Sequence, residues 1–210
     1  MHSWAIPSHT TVAYIAFWAD SHRYTAAGRF SEPLHFISAN DNPPSACGVN
    51  FGRECGIGGC IVGAIENHEC YLRFWTRNIA AKIPTSSFHI NTQSLGDIHQ
   101  PLHVEDLLAG GNGICVSFSG VLNNLQHFWD TSIPEKLVGN YSLPGSQGWL
   151  LGSRGLSLGD PAGRASVWAG KANAWVCEVV VKGGVEELKE RDLNGGYYEK
   201  IVPVVQLLAT

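Results

Sequence analysis

The stretch GDIHQPLH, Gly96 to His103, decides how the rest of this chain reads. It places Asp97, His99 and His103 within seven residues, and Pro101 bends the chain between the two imidazoles. A hydrolytic metal centre needs neutral imidazoles and carboxylates converging from separate segments, about four N or O ligands per dication with one position left for water. Four other segments carry groups of this kind: Trp4 to His9, Asp20 to Arg23, His35-Phe36, and Gln126 to Asp130. In the last, His127 and Asp130 stand three apart and share one helical face. His99 divides evenly between ligand and structural group, whereas His2, His22, His68 and His89 read as solvated surface histidines. The plainer alternatives are a His103–Asp130 pair that only orients a helix and an Arg23–Asp20 ion pair.

Composition narrows the setting. A chain of 210 residues fits one domain with one core. Lys and Arg number 14 against 18 Asp and Glu, which excludes a general cationic surface for nucleic-acid phosphates and confines any such chemistry to a local site. Nine His stand beside a single Met, so histidine is the chemical resource. No run approaches the ~18 apolar residues of a membrane span, and no membrane or obligate protein partner is expected. Only Met1, His2 and Ser3 precede Trp4, so no export signal is visible. Six Cys and the sequon Asn140-Tyr141-Ser142 point the other way, to a secreted glycoprotein.

Along the chain, residues 10–20 (TTVAYIAFWAD) predict a helix. Asn40 to Gly63 is dense in Pro, Gly and Cys, and Cys47, Cys55 and Cys60 suggest a disulfide-held loop region. Residues 70–96 begin with helical character and lose it at Pro84 and the Ser/Thr/Asn-rich stretch beyond. Residues 121–130 and 163–181 predict helices, the second spacing Val167, Ala174 and Val181 along one face. An apolar segment runs from Tyr197 to Leu208, and no internal repeat or linker is evident.

Taken in order, the pieces W-x-x-x-x-H with TVAYIA (4–16), WADSHRYT (18–25), PLHFISANDNPPSACGV (33–49), LGDIHQPLHVEDLLAGGNGI (95–114), NLQHFWDTSIPEKLVG (124–139) and DPAGRASVWAGKANAWVCEVV (160–180) resemble the S-one/P-one type of zinc-dependent, single-strand-specific nucleases of fungi and plants. The resemblance covers more than half the chain, and its GD-x-H-QPLH piece is highly specific. It implies a mainly α, single-domain helical fold of the phospholipase C and S-one/P-one nuclease type over residues 1–210. It also implies an endonuclease and 3′-nucleotidase that cuts single-stranded DNA and RNA to 5′-phosphate products with three zinc ions. By that resemblance Asp97 bridges two metals. Asp20 and His35 complete the first site, His103 and Asp130 the second, and Trp4 (through a freed amine) and His9 the third. Arg23 matches a basic residue beside the scissile phosphate, and Phe36 an aromatic on which an unpaired base stacks. Ser38 stands where a carboxylate is usual beside the base pocket, and Asn112 joins the substrate-binding candidates. Cys55 is expected to pair with Cys60 and Cys47 with Cys177. Cys70 and Cys115 are left over, and Cys115 reads as a core residue.

The departures cluster. Gln93 and Gln126 occupy the places of two zinc-ligand histidines, and a neutral amide oxygen is a weaker ligand for a borderline-soft metal than an imidazole. His127 and His89 are the possible substitutes. For His127 this requires the helix to turn by one residue, ~100°. The chain is shorter than the family pattern between His9 and Asp20 and after Gln147, and it stops before the family's usual last helix. Abrupt junctions of this kind are those of misjoined gene segments. The competing expectation is therefore a catalytically inactive relic that binds zinc or nucleotides, or an artefactual gene model. A zinc phospholipase is a third reading, disfavoured by Phe36 beside His35 and by the disulfide-loop wording.

Overall fold

The structure is a computed structural model that describes residues 21–67, 93–138 and 161–208. Trp4, His9, Asp20, Cys70, His89, the expected helix at 10–20 and the Asn140 sequon lie outside those residues. Among the described residues the chain is mainly helical, with one two-stranded antiparallel hairpin.

The longest described helix, Pro161–Trp175, explains how the layers meet. Ala165, Ala169 and Ala172 recur at three- and four-residue spacing on its buried face. Small side chains there let the helix pack closely on Ile37, Ile61, Val62, Ile98 and Val104, which form one core cluster with them. After Trp175 the chain widens into a π-turn, Val176–Val180, with Val181 N–H donating to Val176 C=O at 2.9 Å. Val176 and Val180 enter a second cluster with Ile114, Leu125, Phe128, Trp129, Ile133 and Ile201. Of the expected face, Val181 is buried in this second cluster but Val167 is not. Val167 is 54% exposed, because the Ala residues rather than the larger Val fit the close approach.

The segment 96–103 lies across both cores. Ile98 and Val104 sit in the first cluster and Leu102 in the second, so its polar side chains emerge between them. Residues 93–97 are helical, which restores helix earlier than the break expected up to Gly96. A 3-10 turn follows at Pro101–Val104, where Pro occupies the first helical position and the Gln100 side chain accepts from Leu102 N–H. Buried Asn173, on the long helix, donates to Val104 C=O at 2.9 Å and to Glu105 Oε2 at 3.0 Å, which fixes the far end of that turn.

Residues 35–40 (HFISAN) alternate: His35, Ile37 and Ala39 are buried, while Phe36, Ser38 and Asn40 face outward or are half-buried. Extended backbone gives this period of two. Ile37 N–H donates to His103 C=O at 2.9 Å and Phe36 C=O accepts from Ile61 N–H at 3.0 Å, so the strip is held on both sides. The loop beyond it carries both expected disulfides, Cys55–Cys60 and Cys47–Cys177.

Residues 121–130 are not the single helix expected. Cys115–Phe118 (β1) pairs with Val121–Asn124 (β2) across Ser119-Gly120, both at positive φ (54° and 76°). This is the two-residue hairpin turn whose twist suits antiparallel strands. Helix begins only after Asn124, whose side chain caps His127 N–H at 2.7 Å. Cys115 is exposed on β1 rather than in the core, since the alternation of a strand turns Val116 inward instead.

The hairpin turn is fastened from a distance. Asp192 accepts from Gly120 N–H (2.7 Å), Ser119 N–H (3.0 Å), Ser117 Oγ (2.9 Å) and Asn194 N–H (2.9 Å). These donors, Gly120 first, hold its carboxyl down at about 2. A carboxyl depressed in the fold stabilises it above the ordinary carboxylate range, and that contribution disappears as pH falls through about 2. Asp192→Asn should therefore be less stable than the parent by a gap that is constant above about pH 4 and closes toward pH 2, in urea titrations at stepped pH. A gap that persists unchanged into acid would contradict this role.

The Cys47–Cys177 bridge spans 130 residues of sequence and ties the loop to the π-turn of the long helix. Replacing both cysteines with alanine should cost about 2–5 kcal/mol of unfolding free energy, read from the denaturant midpoint.

Candidate metal and nucleic-acid cleft

Three described segments deliver the predicted acid and imidazole groups to one place. His35, buried at the end of the 3-10 turn Arg29–His35, brings Nδ1 to 2.9 Å from Asp97 Oδ2. Asp97, 8% exposed, closes the helical turn 93–97. His103 Nδ1 donates to His35 C=O at 3.0 Å and lies 3.8 Å from Asp97 Oδ1. His103 Nε2 stands 3.2 Å from both oxygens of Asp130. Asp130 sits in a π-turn, Phe128–Ser132, where it meets His103, Gln100 and Gln126.

Charge in this cluster is self-consistent. Burial alone would lower the His103 imidazole, but its hydrogen bond to Asp130 and the charges of Asp130 and Asp97 push it up to about 9. Burial would likewise raise Asp130, and the hydrogen bond and charge of His103, with Gln100 and Gln126, hold it below the usual carboxylate range.

The glutamines at the two altered positions are part of the same network. Gln93 Nε2 donates to Asp97 Oδ1 at 2.7 Å. Gln126 Nε2 donates to Asp130 Oδ2 and lies 3.3 Å from His103 Nε2. Gln100 Nε2 donates to Asp130 Oδ1 at 2.6 Å while its Oε1 accepts from Leu102 N–H. Gln100 was not singled out by sequence reasoning. The signal was its place before the Pro of QPLH, where a side-chain acceptor caps the turn and leaves the amide free to reach a second segment.

His35, His103 and Gln126 line one cleft of about 460 Å³, together with Arg23, Tyr24, Phe36, Ser38, Glu105, Asp106, Ala109 and Asn112, and Asp97 and Asp130 join it through their hydrogen bonds to the two imidazoles. Phe36 is 40% exposed, and the Arg23 guanidinium lies against the Tyr24 ring, donating to its hydroxyl at 2.8 Å. The wall at 108–111 is unusual: Leu108, Ala109, Gly110 and Gly111 all have positive φ. At Gly111 (φ +82°) a Cβ would meet Leu102 Cδ1 at 3.1 Å and Gln126 N at 3.3 Å, so glycine lets this wall touch the Gln126 turn.

Other candidates fall away. His127 lines a separate depression with Phe118, Val121 and Lys136, so it does not reach the place of Gln126. The one-residue rotation it needs is blocked by the Asn124 cap and by burial of Phe128 and Trp129. His99 Nδ1 bonds Leu95 C=O at 2.8 Å and its ring packs on Trp168, a structural role. Asp41, Cys47 and Glu105 also offer three ligand-type atoms within 4.8 Å of one another. Cys47 is in a disulfide and has no thiolate to give, and burial pushes Glu105 up to about 7.

The donor chemistry fits a divalent metal. His35 Nε2 is buried without a hydrogen-bond partner in the structure. The 3.2 Å between His103 Nε2 and Asp130 is close to the edge, roughly 3.3 Å, of a tetrahedron with ~2.0 Å bonds. The fit is weaker at Gln93 and Gln126, where each amide presents N–H and not a lone pair to its carboxylate.

The sequence comparisons agree with this geometry. Residues 2–208 match the family model described as S1/P1 Nuclease. The chain is 40% identical to Nuclease S1 of Aspergillus oryzae over 223 aligned residues, covering 96% of this chain and 75% of that protein. It is 36% identical to Nuclease P1 of Penicillium citrinum over 217, covering 95% and 80%. Against Endonuclease 4 of Arabidopsis thaliana identity is 32% over 145 residues, 63% of this chain and 48% of that protein. A match over nearly the whole chain makes this chain a member of the S1/P1 nuclease family.

Proposed function

We propose that this chain is a single-domain, zinc-dependent endonuclease and 3′-nucleotidase that hydrolyses phosphodiester bonds of single-stranded DNA and RNA to products ending in 5′-phosphate. The observation that carries the reading is one cleft lined at once by His35 and His103, which bond the carboxylates Asp97 and Asp130, by Arg23 and by an outward aromatic, Phe36. The cleft gives a chain of net charge −4 the local site that its composition requires for a polyanionic substrate.

His35, Asp97, His103 and Asp130 would hold the metal, with Trp4, His9 and Asp20 joining them by family resemblance. Zinc, when bound, supplies Lewis acidity that activates water near neutral pH and offsets phosphate charge. Arg23 holds positive charge where the phosphorus gains negative charge in the transition state. Phe36 lies on the outward face of the extended strip 35–40, its ring available to the flat face of a base. In a duplex that face is covered by neighbouring pairs, so stacking selects unpaired strands. Ser38 and Asn112 contribute neutral polar contacts at the same wall. Two disulfides suit an oxidising, secreted setting, and no described helix is long and apolar enough to cross a membrane.

Gln93 and Gln126 favour a second reading, a chain that binds nucleotides or zinc with little or no turnover. The two readings separate in one assay. The zinc-loaded protein should release acid-soluble nucleotides from single-stranded DNA and not from duplex, and chelator should stop it. No release between acidic and neutral pH rejects the nuclease reading.

Phe36→Ala should weaken single-stranded oligonucleotide binding by about 1–3 kcal/mol, roughly 5- to 150-fold in Kd, with the thermal midpoint unchanged because the ring is outside both cores. Arg23→Ala should lower kcat by about 10²–10³ with a small change in KM.

A further inference from the structure

We infer that Gln93 and Gln126 act as amide latches on Asp97 and Asp130, so that the cleft keeps its architecture with no dication bound. Both glutamines precede their carboxylate by four residues, the spacing at which side chains on a helical turn meet. In both cases Nε2 donates to a carboxylate oxygen, at 2.7 Å for the Gln93–Asp97 pair. Each latch completes a set of donors. Asp97 receives Gln93 on one oxygen and His35 Nδ1 on the other. Asp130 receives Gln100 on one oxygen and Gln126 on the other, with His103 Nε2 beside both.

A buried carboxylate such as Asp97, and a partly buried one such as Asp130, need either a cation or N–H donors in place of the water they have lost. An imidazole that gives its lone pair to a metal leaves that requirement to the ion, which couples folding to metal binding. Carboxamides meet it with protein atoms alone. The same side chain has a second state, since turning the amide by 180° replaces the N–H donors with Oε1, a lone-pair donor to metal. Metal binding in this chain therefore competes with two hydrogen bonds that a histidine-bearing site does not have to break. The inference concerns the metal-free fold and does not depend on whether the cleft turns over nucleic acid.

The test uses the whole chain after exhaustive chelation and reads thermal unfolding. The chelated parent should unfold in one cooperative transition. Gln93→Met and Gln126→Met, which keep side-chain length and remove the donor, should each lower that metal-free midpoint by roughly 3–10 °C. Gln93→His with Gln126→His should unfold lower still without metal, recover on adding zinc, and bind zinc at least about 100-fold tighter than the parent. Should the methionine variants fail to fold, the latch is read in the parent, where the Gln93 and Gln126 side-chain amide protons should exchange with water more slowly than those of a free carboxamide. Unchanged metal-free midpoints, or amide protons exchanging at free-carboxamide rates, overturn the inference. An inactive chain with latched amides rejects the nuclease reading alone, and an active chain with unlatched amides rejects this one alone.

Discussion

Asp97 sets the constraint on which the cleft depends. A carboxyl group only 8% exposed needs hydrogen-bond donors in place of water, and here they come from separate segments of the chain. Gln93 donates from the same helical turn and His35 from a 3-10 turn 62 residues earlier, while His103, from the 3-10 turn just after, stands 3.8 Å away as a neighbouring charge. His103 then carries the network outward, because its Nδ1 is committed to His35 C=O and its Nε2 turns to Asp130. Removing any member leaves a buried donor or acceptor without its partner, which is more costly than the bond itself is worth. The two apolar clusters meet at this point for the same reason: Ile98 and Leu102 face opposite ways from a strip whose polar side chains must share the remaining space.

Much of this was legible in the sequence because it rests on local spacing. The GDIHQPLH stretch keeps Asp97 and His103 close in sequence, the cysteine pairs implied by the family resemblance are present, and the helix expected over 163–181 is α-helical to Trp175 and continues as a π-turn. Arg23, Phe36, Ser38 and Asn112, scattered over 90 residues, line the same cleft. The misses have a common cause in distant partners. Residues 121–124 have apolar content that suits a helix or a strand, and the choice is made by a left-handed Ser119-Gly120 turn fastened by Asp192, more than seventy residues away. On the long helix, periodicity of the largest apolar side chains points to Val167. Packing instead selects the Ala face, because close approach of Ile37 and Ile61 requires small groups. Cys115 follows the hairpin: once β1 is a strand, its alternation decides which neighbour is buried.

The glutamines show the limit of reading a site by what is absent. As letters, Gln93 and Gln126 register as lost imidazoles, and loss is the whole of what a ligand pattern can say about them. In the fold they are donors, joined by Gln100, which no ligand pattern marks. The difference is geometric. An imidazole four residues before a carboxylate can aim a lone pair past it toward a shared third atom, which then joins the two. A carboxamide at the same spacing closes directly on the carboxylate. Two such closures in one cleft move the balance between protein hydrogen bonds and metal coordination, while leaving the stacking face of Phe36 and the charge of Arg23 where they were. Substrate recognition and metal chemistry, which a full set of imidazoles would link, can therefore vary separately in this chain. On the proposed reading, strand recognition rests on Phe36 and Arg23, and the glutamine amides donate to Asp97 and Asp130 instead.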